Sequence, residues 1–287
     1  MSPHDRKKRI KARGNSSYRA AVVIHGARDS RYHEEDVVGE GRYVEWGSIT
    51  KCVTASGILA AGEERLLDLD APVRSVVPRL ARTDCTIREL LRHEGGLLRV
   101  PLAMLVRPRR DPYAPVAGRA LPERWARPLG ERGRYLYSNT GYAVLGEVLD
   151  AVTGSWWDWC RQRVLVPRGV PGGTLCPSGR PLAVGLDRRG RPRPPWALSC
   201  GPFAPAGGIW SSFAELVEFA TSWDEPTPPG WSRRDGIQAV NGATRDSRAC
   251  IVRSWSQQVT VVVHSLRLGE ETDGLALSLL REACREA

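Results

Sequence analysis

The strand-forming runs of this 287-residue chain lie towards its two ends, with helical patterns between them. Tyr18 to His25, built around Ala20-Ala21-Val22-Val23-Ile24, and Tyr43 to Trp46 read as strands. Ala249–Trp255 and Gln258–Leu266 read as two more, close enough in sequence to form a hairpin. From Ser48 to Ala61 the apolar spacing turns helical, with Gly62 placed as a stop. Residues 86–93, Gly141–Val152 and Trp156–Val164 continue the helical pattern. Ser212 and Glu215 have the spacing of a capping box that opens a helix to about Trp223. Asp273 to Glu286 closes the chain as an amphipathic helix. Strands at both ends can pair only if the chain folds back on itself. The expected fold is therefore α+β, one antiparallel sheet built from both chain ends and flanked by helices, with a mostly helical subdomain inserted. Residues 18–62 with 209–287 would form the sheet part and 63–208 the helical part. Residues 1–17 would be a disordered basic tail. A cleft between the two parts is the expected ligand site.

Composition excludes several classes. Half of the formal net charge of +10 falls in residues 1–14, where six basic residues face only Asp5. The body shows no helix-turn-helix, zinc-finger or aromatic RNA-binding signature, so the tail reads as a solvated arm and no nucleic-acid partner is expected. No apolar stretch follows the basic start, as a signal peptide requires. No run approaches the roughly 18–20 apolar residues of a membrane span. The seven cysteines are scattered and include no C-x-x-C, so neither a metal site nor a disulfide framework is indicated. A cytoplasmic location, without membrane, is the expectation.

Lysine usage singles out one position. Lys and Arg total 42, yet only Lys7, Lys8, Lys11 and Lys51 are lysine, and the first three lie in the tail. Arginine stays charged in a protein, whereas a desolvated lysine can become a neutral amine and act as a base. Lys51 follows Ser48 by three residues, which puts both on one face of a helix. Such a pair is an activated nucleophile; equally, it is a common N-cap serine beside one surviving lysine in an arginine-rich chain. A second cluster is Tyr135-Leu136-Tyr137-Ser138-Asn139-Thr140-Gly141-Tyr142. A Tyr137 hydroxyl near a cation could ionise in part and relay a proton. Asn139 offers both donor and acceptor to a substrate amide or to the lysine amine. The bland alternative is that Asn139 caps the following helix and Tyr137 packs in the core.

Several motifs in order resemble the serine beta-lactamase and penicillin-binding-protein superfamily, in its class C and esterase-like branch. Trp46-Gly47-Ser48-Ile49-Thr50-Lys51 looks like its S-x-x-K element, and Tyr137-Ser138-Asn139 matches its Y-x-N element. Residues 66–73, 86–97 and 205–211 are similar to its linker, its helix and turn, and its "PAGG" turn. The resemblance implies Ser48 as nucleophile, Lys51 as general base and Tyr137 as proton relay. It also implies Asn139, Asn241 and Gly242 as substrate-binding residues, and the Ser48 and Ala243 amides as an oxyanion hole. One element departs. Val240-Asn241-Gly242-Ala243-Thr244 takes the place of the usual K-T-G or H-x-G, with valine first. His93 and His264 read as structural histidines.

The implied activity is serine acyl transfer through an acyl-enzyme on Ser48, without cofactor or metal. The partners would be a small-molecule acyl donor and an amine or water acceptor. A transacylase that passes an ester or amide acyl group to an amine, in secondary-metabolite biosynthesis, is the expectation. The alternatives are a cytosolic esterase, amidase or beta-lactamase-like hydrolase, and a non-catalytic binding protein of the same fold.

Overall fold

Valine-rich runs near the two ends of the chain meet in one sheet. The computed structural model describes residues 17–24, 41–105, 111–187, 189, 191–223, 229–266 and 271–286, and residues 1–16 of the basic tail lie outside these. The chain runs through β1 (Ser17–Ile24), β2 (Tyr43–Glu45), α1 (Thr50–Glu63), α2 (Val73–Val76), α3 (Ile87–Leu91) and α4 (Leu102–Leu105). It continues through α5 (Asn139–Thr153), α6 (Trp156–Cys160), α7 (Ala204–Gly207), β3 (Trp210–Ser212) and α8 (Phe213–Thr221). The last elements are β4 (Ser232–Arg234), β5 (Ile237–Ala243), β6 (Ser247–Ser254), β7 (Val259–Leu266) and α9 (Glu271–Glu286).

The main sheet has the order β1-β7-β6-β5-β4 and is antiparallel throughout. β1 pairs with β7 from Ser17↔Leu266 to Ile24↔Val259, which joins the two ends of the chain as the pattern required. β2 departs from the expectation of a single sheet: it pairs with β3 in a separate two-stranded ladder, Tyr43 opposite Ser212. Strands β3, β4 and β5 carry no readable alternation. Ser232-Arg233-Arg234 is fully polar, and β5 includes Gln238, Asn241 and Gly242. Their pairing partners, rather than their own side chains, hold them extended.

Alternate residues of the sheet feed two cores, as the period of two in a strand dictates. Val22, Cys250, Val252, Val261 and Val263 pack with Ala276 and Leu280 of α9. Ala21, Ala249, Ile251 and Val262 join the large core with Trp46, Phe213 and Phe219. Helix α1 crosses that core and is buried over most of its length, Lys51 included. Its polar residues Thr50 and Thr54 are buried with it. Both capping boxes form, Thr86 with Glu89 ahead of α3 and Ser212 with Glu215 ahead of α8. Helix α5 begins differently from the alternative raised for Asn139: Ser138 is the cap, accepting the Gly141 N–H at 2.8 Å. Ser48 lies in a single 3-10 turn, Gly47–Ile49, immediately before α1.

Candidate active site

Two glycines let two backbones meet. Gly47 has φ +51, a left-handed conformation that side chains other than glycine rarely adopt, and a Cβ there would lie 2.7 Å from Ala243 N. A Cβ on Gly242 would collide with the Trp46 carbonyl oxygen and lie 2.6 Å from Ser48 N. The turn before α1 therefore rests directly on β5. The ladder explains why the Ala243 amide is free to face it. Thr244 N–H donates to the Ser247 carbonyl at 3.0 Å, closing the β5–β6 turn. Antiparallel pairs alternate between bonded and non-bonded, so Ala243, opposite Arg248, turns its N–H away from β6. On that outer side β4 covers only Ile237 to Ala239, so the edge at Ala243 stays open. The Ser48 and Ala243 amides thus lie on two backbones that meet at the cleft floor.

The 3-10 turn, helix α1 and the segment before α5 bring three side chains together there. Lys51 Nζ lies 3.0 Å from Ser48 Oγ and donates to the Ala206 carbonyl at 2.6 Å. The Tyr137 hydroxyl donates to Ser48 Oγ at 2.6 Å. Burial, aided by the Arg99 charge, brings Lys51 down to about 7, although the neighbouring Cys52 works the other way. A neutral amine that gives one N–H to Ala206 can turn its lone pair to the Ser48 hydroxyl. Burial pushes Tyr137 up to about 12 despite the opposing effects of Ser48 and Arg99. The expected partial ionisation of this tyrosine is therefore not met: desolvation outweighs the Ser48 hydrogen bond and the Arg99 charge, and Tyr137 keeps its proton.

The surrounding residues hold this arrangement in place. His93, with φ +61, accepts the Ser138 N–H through Nδ1 at 3.1 Å and packs its ring 4.6 Å from that of Tyr137. Burial, and then the Lys51 charge, lowers His93 to about 4, so it is neutral and structural in character. His264 is fully buried in β7 and lowered to about 3 by burial. Asn139 lines the cleft and hydrogen-bonds to Tyr113, while its buried Oδ1 has no partner among the described residues. No bond joins Asn139 to Lys51; the lysine's carbonyl partner is Ala206. Asn241 lines the cleft as well. Its amide donates to Asp273 of α9 at 3.0 Å, so the side chain is committed to that helix. Val240 lines the cleft where the resemblance implies a charged or proton-carrying residue.

Sequence reasoning missed Glu45 and Ala206. Buried Glu45 accepts the Thr244 hydroxyl at 2.6 Å and the Ser247 hydroxyl at 3.1 Å, tying the strand that leads to Ser48 to the turn that follows Ala243. Burial raises its pKa above the ordinary carboxylate range. A glutamate three residues before the serine gave no signal, because its partners lie about 200 residues further along. The Ala206 role belongs to the backbone and leaves no trace in side-chain chemistry. Among the described residues no cluster of His, Cys, Asp or Glu could hold a metal, and no helix is long and apolar enough to cross a membrane.

The cleft has a volume of about 1040 Å³ and is lined by Ser48, Lys51, Tyr137 and Ala243 together with Tyr113, Trp196 and Trp231. Residues 14–262 match the family model described as Beta-lactamase. Penicillin-binding protein 4 of Amycolatopsis lactamdurans is 27% identical over 243 residues, which cover 75% of this chain and 59% of that protein. The chain thus spans less than two thirds of that relative's length. Among solved structures, a class C beta lactamase from Rhodobacter sphaeroides has a TM-score of 0.68 at 18% identity, covering 94% of this chain and 95% of that one. SurE, solved with D-Leu, has a TM-score of 0.69 at 21% identity, covering 93% of this chain and 71% of that one. At such identities the two structures share the fold, and the helix-flanked antiparallel sheet is common to them. With a family match over most of its length, this chain belongs to the beta-lactamase family.

Proposed function

We propose that the protein is a serine acyl-transfer enzyme working through an acyl-enzyme on Ser48, with an amine as the physiological acceptor. The observation that carries this reading is the convergence on Ser48 Oγ of Lys51 Nζ at 3.0 Å and Tyr137 Oη at 2.6 Å. Neutral Lys51 takes the serine proton as Oγ attacks the donor carbonyl. The Ser48 and Ala243 amides hold the developing oxyanion; removal of one such donor costs about 3–4 kcal/mol. Tyr137, still protonated, gives its proton to the leaving group and recovers one through Lys51. The acceptor enters, loses a proton to the same pair and releases the acyl group.

Three features favour an amine over water. No carboxylate lines the cleft among the described residues, and an amine needs less activation than water to attack the acyl-enzyme. Asn139 lines the cleft, where its amide would pair with a substrate amide. Third, the fold neighbour SurE was solved with D-Leu, a molecule carrying an amine. Hydrolysis is the second reading, favoured by the match to the family model described as Beta-lactamase. A silent binding protein is disfavoured, because burial of a lone lysine against a serine and a tyrosine is costly without a use for it.

An activated phenylacetyl ester tests the proposal. Intact mass should rise by one acyl group in the wild-type protein and stay unchanged in Ser48→Ala. Adding an amino-acid ester should then convert the adduct to amide faster than water clears it. Absence of any adduct would sink the acyl-enzyme reading, whereas release that ignores every amine would leave a hydrolase.

A further inference from the structure

We propose that Glu45 is a positioning residue for acylation, whose buried carboxyl holds the Ala243 amide in place beside Ser48. Because that role exists only during acylation, it rests on the acyl-transfer reading of Ser48. Glu45 lies in β2, three residues before the serine, and Thr244 directly follows Ala243. The Thr244 hydroxyl donates to Glu45 Oε2 at 2.6 Å, and the Ser247 hydroxyl donates to the same oxygen at 3.1 Å. The two hydroxyls are 2.9 Å apart, and Thr244 N–H bonds the Ser247 carbonyl at 3.0 Å. One carboxyl oxygen thus gathers both ends of the β5–β6 turn. Glu45 and Ser247 are buried, where a hydrogen bond is stronger than in water and a lost partner costs more.

The two sides joined by this carboxyl are unequally supported. Strand β2 is fixed along its length. Tyr43 N–H donates to the Pro181 carbonyl at 2.8 Å, Ala183 N–H to the Tyr43 carbonyl at 2.9 Å, and Trp46 N–H to the Ile209 carbonyl at 3.0 Å. The end of β5 has less. β4 pairs only with Ile237 to Ala239, so from Val240 to Ala243 the strand is laddered to β6 alone. The Gly47–Gly242 contact limits how near the two backbones come, but it does not set how they are aligned. Outside the turn, Asp246 meets Arg193 at 2.8 Å and Arg245 at 2.9 Å, which secures its tip. Glu45 secures the residue next to Ala243. Stability alone gives a poor account of a carboxyl there: burial, and further the neighbouring Asp246, work against its charge. A fixed place for the following amide is what the carboxyl supplies.

Single-turnover acylation with two substrates tests this: the activated phenylacetyl ester and its thionoester, in which sulfur replaces the carbonyl oxygen. Sulfur accepts hydrogen bonds weakly, so the thionoester draws less on the backbone amides. Glu45→Leu is similar in size and cannot accept a hydrogen bond. It should slow acylation of the oxygen ester about 10- to 100-fold at saturation, less than outright removal of an oxyanion donor. Substrate affinity should stay within about twofold, and the thionoester should lose less than about threefold. Glu45→Gln keeps an acceptor oxygen for the two hydroxyls and should recover most of the lost rate. Thermal melts check that the variants fold. If the Leu variant does not, Thr244→Val removes a donor while keeping its shape and should give the same pattern. Both esters slowed alike, neither slowed, or a loss confined to affinity overturns the proposal, since a loosened fold would not single out the oxygen ester. Absence of an adduct on the wild-type protein would overturn the acyl-enzyme reading and this role with it, whereas a Glu45→Leu protein acylating at the wild-type rate overturns the role of Glu45 alone.

Discussion

Lys51 shows how one substitution class separates charge from basicity. The residue is 4% exposed, and burial lowers its amine to about 7, so near neutral pH a large share is uncharged. The base works in the deprotonated form, and deprotonation increases as pH rises through that value. The acylation rate constant should therefore climb with pH through about 7 and then level off, because Tyr137, pushed up to about 12, keeps its proton across the accessible range. Single-turnover acylation with an activated ester across that range reads the profile directly. Lys51→Arg keeps a cation and removes the base, and should cost about 10²- to 10⁴-fold in acylation rate. A variant with unaltered rate and profile would remove Lys51 from the mechanism. The residue scale is also where sequence reasoning did best. Ser48, Lys51 and Tyr137 were legible as types at fixed spacings. The chain gives no hint that the Asn241 amide, which lines the cleft, also bonds Asp273 of α9.

At the scale of elements, the site is a contact between a 3-10 turn and a strand edge. The contact distance is set by two glycines, and Gly242 tolerates least, since a Cβ there meets the Trp46 carbonyl. Gly242→Ala should push β5 away from Ser48 and separate the two amides. The expected loss is about 10²- to 10³-fold in acylation rate, comparable to removing one oxyanion donor. Adduct formation followed by mass over time measures it; a Gly242→Ala protein acylating at the wild-type rate would show that Ala243 takes no part. Helix α1, helix α8 and the β6–β7 hairpin were readable from apolar periodicity and capping residues, because those signals are local. Strand β5 was not. With Gln238, Asn241 and Gly242 in seven residues it has no pattern of its own, and its extension comes from β6. The lone strand β2 was readable as a strand but not as half of a separate ladder with β3, some 165 residues away.

For the whole molecule, two cores on opposite faces of one sheet share out stability and chemistry. Helix α9 packs on the face away from Trp46, with Leu280 only 1% exposed against the sheet valines. Leu280→Ala should cost about 2–5 kcal/mol of stability through the lost transfer energy and the cavity left behind. A denaturant titration reads that loss, while the pH profile of acylation should remain centred near 7, since Lys51 lies on α1, whose Cys52 and Val53 belong to the other core. A profile that moved with the melting point would mean that the two cores are not separate.

The sequence by itself determined that strands from both ends must pair, that Ser48 and Lys51 share a helical face, and that a tyrosine and an asparagine follow at a fixed spacing. Those are consequences of steric periodicity and of side-chain chemistry within a few residues of one another. Only the tertiary structure decided that Lys51 is dry enough to lose its proton, that Tyr137 is dry enough to keep its own, and that the Arg99 charge bears on both. Desolvation and charge proximity depend on which distant segments close over a group, and that information appears only once the chain has folded.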